Sequence, residues 1–217
     1  MNPSTSRMDR RTFLRSGVAA AVLGLAGCGA RSGGSAFEEG FEDGVGQWDS
    51  AAAIGPEVAI DEFEWSVAVT DERAASGQQS LELFTEGDYD DGTAWVVHPV
   101  SVPSSGRYRA TVTASFWSES ESFNTLRNAV MCLGTDRPED ESDFPDPGVN
   151  TTTLGEVPYG GLREPLHLAE GWREYRFEWT TPPLSTDTLY VAAGTSVVWE
   201  ADATHYLDDL TVDLTPR

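Results

Sequence analysis

Near the C-terminus two adjacent carboxylates, Asp208 and Asp209, interrupt an apolar run, Tyr206-Leu207-Asp208-Asp209-Leu210-Thr211-Val212. A carboxylate inside such a strand is costly unless it is hydrogen-bonded, paired or metal-bound. If Leu210, Val212 and Leu214 face the core, Asp208 shares their side and Asp209 does not; a bulge or a strand end would change the count, so the pair stays unresolved. A second chemistry is aromatic. Among the seven tryptophans, Trp117 shares a strand face with Arg109, Thr111, Thr113 and Ser115, which makes it the best case for an aromatic exposed on a polar sheet. Trp95, in Thr93-Ala94-Trp95-Val96-Val97, comes next, and Trp199 and Tyr159 lie near loops. Trp48, Trp65, Trp172 and Trp179 read as core or edge packing. Catalysis finds little support. His98, His167 and His205 form no metal spacing with each other or with cysteine, and neither a G-x-S-x-G elbow nor H-E-x-x-H occurs. Carboxylates are so numerous that a facing pair carries no information. The chain reads as non-enzymatic.

The two cysteines have separate roles. Cys132 sits in Asn128-Ala129-Val130-Met131-Cys132-Leu133 and reads as a buried small hydrophobe. Cys28 ends Leu25-Ala26-Gly27-Cys28, which resembles a lipobox. Upstream, Arg10-Arg11-Thr12-Phe13-Leu14-Arg15 resembles a twin-arginine export signal, with Asp9 where Ser or Thr is usual. The uncharged run between them is about ten residues, half of the roughly 20 a membrane-spanning helix needs. Residues 1–27 are therefore expected to be a signal peptide, Cys28 the lipidated residue, and 28–36 a flexible tether. Localisation at the extracellular face of the membrane follows, with membrane contact through the lipid alone.

The chain has 14 basic and 36 acidic residues, a net charge of -22, and no lysine. Without residues 1–27, 10 basic and 35 acidic residues stay, a net of -25. The absence of a basic stripe argues against nucleic acid and against anionic lipid headgroups. The same balance favours divalent cations, neutral ligands or basic partners. An acidic surface without lysine resembles secreted proteins of extreme halophiles, where a screening length of about 3 Å in molar salt makes self-repulsion cheap.

Period-two alternation dominates residues 37–217. Tyr108, Ala110, Val112, Ala114 and Phe116 share one face of the clearest strand. Trp65, Val67 and Val69 alternate likewise, as do Tyr175, Phe177 and Trp179, then Leu189, Val191 and Ala193. Turn signals such as Ser76-Gly77, Asp91-Gly92 and Glu170-Gly171 separate these runs, and no amphipathic helix stands out. The pattern predicts one all-β domain, a two-layer antiparallel β-sandwich. Residues 135–165, rich in Asp, Glu and Pro, read as a long acidic loop. Within it, Asn150-Thr151-Thr152 is an N-glycosylation sequon.

Four ordered segments carry a family resemblance: Phe41-Glu42-Asp43-Gly44 with Trp48, Ala75 through Leu83, Glu170-Gly171-Trp172 through Phe177, and Tyr206 through Val212. Together they resemble galactose-binding-like jelly rolls, in particular carbohydrate-binding modules of the family 4/9 type. The resemblance implies a jelly roll of eight to ten strands whose first and last strands are adjacent. It implies a structural calcium at that seam, with Glu42 and Asp209 as side-chain ligands, Asp208 as substitute, and backbone oxygens from the Ser76-Gly77-Gln78 turn and Ser80. Calcium takes six to eight hard oxygens, so converging carboxylates and carbonyls would suit it. It also implies a non-catalytic module in which Trp117, Trp95, Arg109 and Tyr159 contact an extracellular glycan or a related ligand. The alternative is a structural or protein-interaction domain of the cell envelope.

Overall fold

The computed structural model describes residues 35–217 except 57, 90–91, 119–125, 169 and 198–201. Arg10, Arg11 and Cys28 lie outside the described residues, as does Trp199. Eleven strands occur among the described residues: β1 Ser35–Glu39, β2 Asp49–Ala53, β3 Trp65–Thr70, β4 Ser80–Thr85, β5 Gly92–Ser101, β6 Tyr108–Ser118, β7 Arg127–Gly134, β8 Gly160–Pro165, β9 Gly171–Thr180, β10 Thr188–Val197 and β11 Ala203–Pro216. Short 3-10 turns span Ile60–Glu62, Glu141–Asp143 and Thr151–Thr153.

The strands form the expected antiparallel sandwich. Sheet A runs β3-β4-β11-β6-β9, with β1 also on β11; sheet B runs β2-β5-β10-β7-β8. Strand β1 pairs with β11 through Phe37–Val212 and Glu39–Leu210, so the first and last strands lie side by side. The alternation in β6 has its expected consequence. Tyr108, Ala110, Val112, Ala114 and Phe116 are buried against sheet B, while Arg109, Thr111, Thr113, Ser115 and Trp117 face outward. Phe116, Tyr175, Phe177 and Trp179 from β6 and β9 fill the layer between the sheets. Each large apolar side chain buried there contributes about 1.5–3 kcal/mol.

The parity of β11 is settled by a bulge. Leu207 and Leu210 both enter the core, which two residues of strict alternation between them could not allow. The register with β6 shifts between Asp208 and Thr211, and Asp209 takes φ 50°. One extra residue is absorbed there, so Asp208 turns away from the core and Asp209 sits at the kink.

Sheet B is covered on both faces. All eight positions of β7 are buried, one set against sheet A and the other beneath the acidic segment. That segment is shorter than expected, because residues 160–165 form edge strand β8 instead of loop. Gly161 permits this: a Cβ there would lie 2.6 Å from the Met131 carbonyl and 2.8 Å from Pro145. Only a residue without a side chain lets β8 approach β7 under the returning loop.

Candidate functional site

The expected site residues fall into three places. At the seam of β1 and β11, Glu42, Asp208 and Asp209 converge on the turn 75–79. Glu42 Oε1 accepts from the N–H groups of Gln78 (2.7 Å) and Gln79 (2.9 Å). Asp208 Oδ2 accepts from Ala75 (2.7 Å) and Ser76 (3.1 Å), and its Oδ1 from Asp209 N–H at 2.7 Å. Ser76 donates its hydroxyl to Asp209 Oδ1 at 2.6 Å. Gly77, at φ +62°, brings the turn so near that a Cβ would sit 2.1 Å from Glu42 Oε1. Backbone donors hold the Glu42 carboxyl below its ordinary range. Burial raises that of Asp208, opposed by its three N–H partners.

These carboxylates accept from N–H and hydroxyl donors. The turn offers N–H groups to the carboxylates, and the Ser80 hydroxyl donates to the Arg73 carbonyl at 2.6 Å. Among the described residues no group of three His, Cys, Asp or Glu side chains is arranged to hold a metal ion. The buried carboxylate of Asp208 has backbone donors on both oxygens, while Glu42 is open to solvent.

The second place is the outer face of sheet A. Trp117 is half-buried and lies there as the alternation requires, but its ring face is taken. The Arg73 guanidinium carbon stands 3.7 Å from the ring centroid, and Tyr206 meets the ring edge-on at 5.5 Å. Trp172, expected in packing, stands directly opposite Trp117 across β6 and β9, also half-buried. Arg109 is committed to Glu178, which Arg176 bridges at 2.7 Å; these two arginines hold the Glu178 carboxyl below its ordinary range.

The third place is the outer face of sheet B. Trp95 and Val97 from β5, Val130 and Cys132 from β7, and Ala192 from β10 form a small apolar cluster with Phe144. Phe144 reaches it from the acidic loop and meets Trp95 edge to face, centroids 5.4 Å apart. Trp95 is 0% exposed. Beside this contact the loop and the sheet enclose two adjoining cavities. One of about 200 Å³ is lined by Cys132, Arg137, Ser142, Asp143 and Tyr159. The other, of about 400 Å³, is lined by Phe144, Asp146, Thr151, Leu154 and Tyr159. Tyr159 is common to both, and burial, followed by the charges of nearby acidic groups, pushes its phenol up. Burial also pushes the Cys132 thiol up to about 12, so it is a neutral wall atom.

The loop is positioned by polar bonds. Asp140 and Asp143 form a capping box around Glu141–Asp143, and Arg163 holds Glu141 at 2.7 Å. Farther along, the Asn150 amide donates to Glu164 Oε1 (2.7 Å) and to the Arg176 carbonyl (2.9 Å), and its oxygen accepts from Thr152 N–H. The sequon asparagine is thus also a structural clamp. Phe144 and the role of Arg163 were not apparent in the sequence. The buried partner of Trp95 is 49 residues distant in the chain, and no local pattern links them.

No family model and no curated protein sequence matches the chain. Among solved structures it is similar to a module described under the promiscuous specificity of carbohydrate-binding modules of the β-sandwich superfamily (TM-score 0.50, 18% identity, covering 84% of this chain and 63% of that one). The chain therefore spans less than two thirds of that structure. It is also similar to the CBM22-1 xylan-binding domain of Paenibacillus barcinonensis Xyn10C (TM-score 0.49, 15% identity, 87% and 99% covered). A third is TmCBM61 in complex with β-1,4-galactotriose (TM-score 0.45, 14% identity, 80% and 92% covered). At these identities the likeness shows the fold: the domain is an all-β sandwich of the architecture used by carbohydrate-binding modules.

Proposed function

We propose that the protein is a cell-surface lipoprotein, exported through Arg10-Arg11 and anchored at Cys28, whose jelly roll binds an extracellular glycan without catalysis. The observation that carries the ligand part is Tyr159. It walls two adjoining cavities that together reach the roughly 300–1,000 Å³ common for ligand sites. An aromatic ring offers stacking to the C–H face of a sugar, and Arg137, Ser142, Asp143, Asp146 and Thr151 offer bonds to hydroxyls. Trp95 lies on the same face of sheet B, covered by Phe144. Titration calorimetry with xylohexaose and β-1,4-galactotriose tests this. Binding that Tyr159→Ala removes and Trp117→Ala leaves intact supports the site.

A second reading, an envelope interaction domain without a sugar site, is favoured by one observation: both tryptophans expected to contact the ligand are covered, Trp117 by Arg73 and Trp95 by Phe144. Absence of binding to a broad glycan array in high salt would favour it. Calcium at the seam is a separate part of the proposal. Glu42, Asp208 and Asp209 would supply its carboxylate oxygens at the expense of the N–H bonds they now accept. A melting temperature that falls in chelator supports it, and an unchanged one removes it. Glycosylation of Asn150 would likewise take an amide hydrogen now donated to Glu164 or Arg176. Intact mass of the exported protein, compared with Asn150→Gln, tests it.

A further inference from the structure

We propose that residues 135–147 form a strap that closes the Trp95 surface, with Phe144 occupying the place a ligand ring would take; this rests on the glycan reading above. Three observations carry it. First, Trp95 is fully buried on the outer face of a sheet, and its edge-to-face partner there comes from the strap. Its indole Nε1 is buried with no hydrogen-bond partner. The hydroxyls of Thr93 and Ser196 are equally buried and unpartnered; they stand opposite one another on β5 and β10, on the face that Trp95 shares. Buried polar groups are nearly always bonded. All three are without one, and of these Trp95, which lies against Phe144, carries a donor suited to a hydroxyl-bearing ligand.

Second, the strap is tied to the sheet by side chains. Among the described residues, no backbone hydrogen bond joins 135–147 to the rest of the domain; those it makes are internal or close its own turn, as Asp143 N–H to Asp140 and Phe144 N–H to Glu141. Its ionic ties are Glu141 to Arg163 at 2.7 Å and Arg137 to Asp49 at 2.5 Å. Immediately after it the chain becomes firmly bound. Gly148 N–H donates to the Arg163 carbonyl, Arg163 N–H to the Val149 carbonyl, and Asn150 clamps β8 and β9. Gly148 itself sits at φ +81°, a backbone state that favours glycine.

Third, the strap is bordered by two open clefts. Both cavities lie against it, one lined by Arg137, Pro138, Ser142 and Asp143, the other by Phe144, Pro145 and Asp146. On those sides the strap faces solvent and not packed side chains, so dispersion contacts hold it chiefly through Phe144. The strap is therefore a closed state whose opening exposes Trp95.

The test uses the full-length protein with Phe144→Ala and Glu141→Gln, each with and without Trp95→Phe. Acrylamide quenching of the Trp95-dependent fluorescence should rise at least two-fold in Phe144→Ala and less in Glu141→Gln, which retains the ring. An open fraction on the order of 1–10% reduces apparent affinity about ten- to hundred-fold. Xylohexaose or β-1,4-galactotriose should accordingly bind about ten-fold more tightly to Phe144→Ala, and Trp95→Phe should cancel the gain. Glu141→Gln decides the matter should Phe144→Ala fail to fold. Unchanged quenching in both variants overturns the strap. Raised quenching with unchanged affinity overturns its gating role and leaves the glycan reading standing. No binding of either sugar to any variant overturns the glycan reading, and the gate with it.

Discussion

Glu42 and Asp208 grip one turn from its two ends: Glu42 Oε1 accepts from Gln78 and Gln79, and Asp208 Oδ2 from Ala75 and Ser76. The two residues stand on opposite termini of the domain, so this turn fastens the β1–β11 seam. Asp208 is 0% exposed and uses both oxygens. Asp208→Asn replaces one acceptor by a donor facing N–H groups. The expected loss is about 1–3 kcal/mol, read by denaturant titration. Glu42→Ala should also destabilise, though less, because its carboxylate is open to water.

Acid acts first through His205. The ring is 4% exposed. Burial, then repulsion from Arg127, lowers its pKa from 6.5 to about 3, with the Trp117 backbone opposing weakly. The unfolded chain takes up this proton below about pH 6.5 and the folded chain only near pH 3. Stability is therefore complete above 6.5 and falls as the pH drops toward 3, by at most about 1.4 kcal/mol per pH unit for one group. Glu42, with its lowered value, adds a loss of the same sign below its ordinary value of 4.5. Asp208, with its raised value, acts in the opposite sense just above 3.8. Melting temperatures between pH 7 and 4 should decline in the native protein and flatten in His205→Leu.

Arg73 should act on stability and not on ligand. Its position over Trp117 is worth about 0.5–1 kcal/mol as a cation–π contact. Arg73→Ala should cost about that much in denaturant titration, with sugar affinity unchanged. A gain in affinity would reassign the ligand site to sheet A.

Gly194 marks the tightest approach of β10 to β5. A Cβ there would lie 2.0 Å from the Ala94 carbonyl and 2.6 Å from Trp95 Cα. Both atoms are backbone, so no rotamer relieves the contact. Gly194→Ala should cost about 3 kcal/mol, seen as a lowered denaturation midpoint with an unchanged slope.

Much of the architecture was legible because a strand announces itself locally. The alternation at Tyr108–Phe116 and at Tyr175–Trp179 named the core of sheet A, and the shared motif order anticipated the β1–β11 contact that places Glu42 near Asp208. The Asp208–Asp209 ambiguity was not legible. A bulge shifts the register by one residue; the odd spacing of Leu207 and Leu210 is consistent with one, but only the pairing with β6 shows that both enter the core.

The amino-acid sequence by itself determined the sandwich, its inward-facing residues and the candidate aromatics, since these depend on near-neighbour periodicity and turn chemistry. The tertiary structure alone decided which aromatics are accessible: Arg73 covers Trp117, and Phe144 covers Trp95. It also decided that N–H groups of the 75–79 turn donate to the seam carboxylates. Accessibility and donor direction arise from segments 44 and 49 residues apart for the two tryptophans, and 133 apart for Asp208 and Ala75. Such contacts are fixed by how the layers and loops close in space, which no period along the chain encodes.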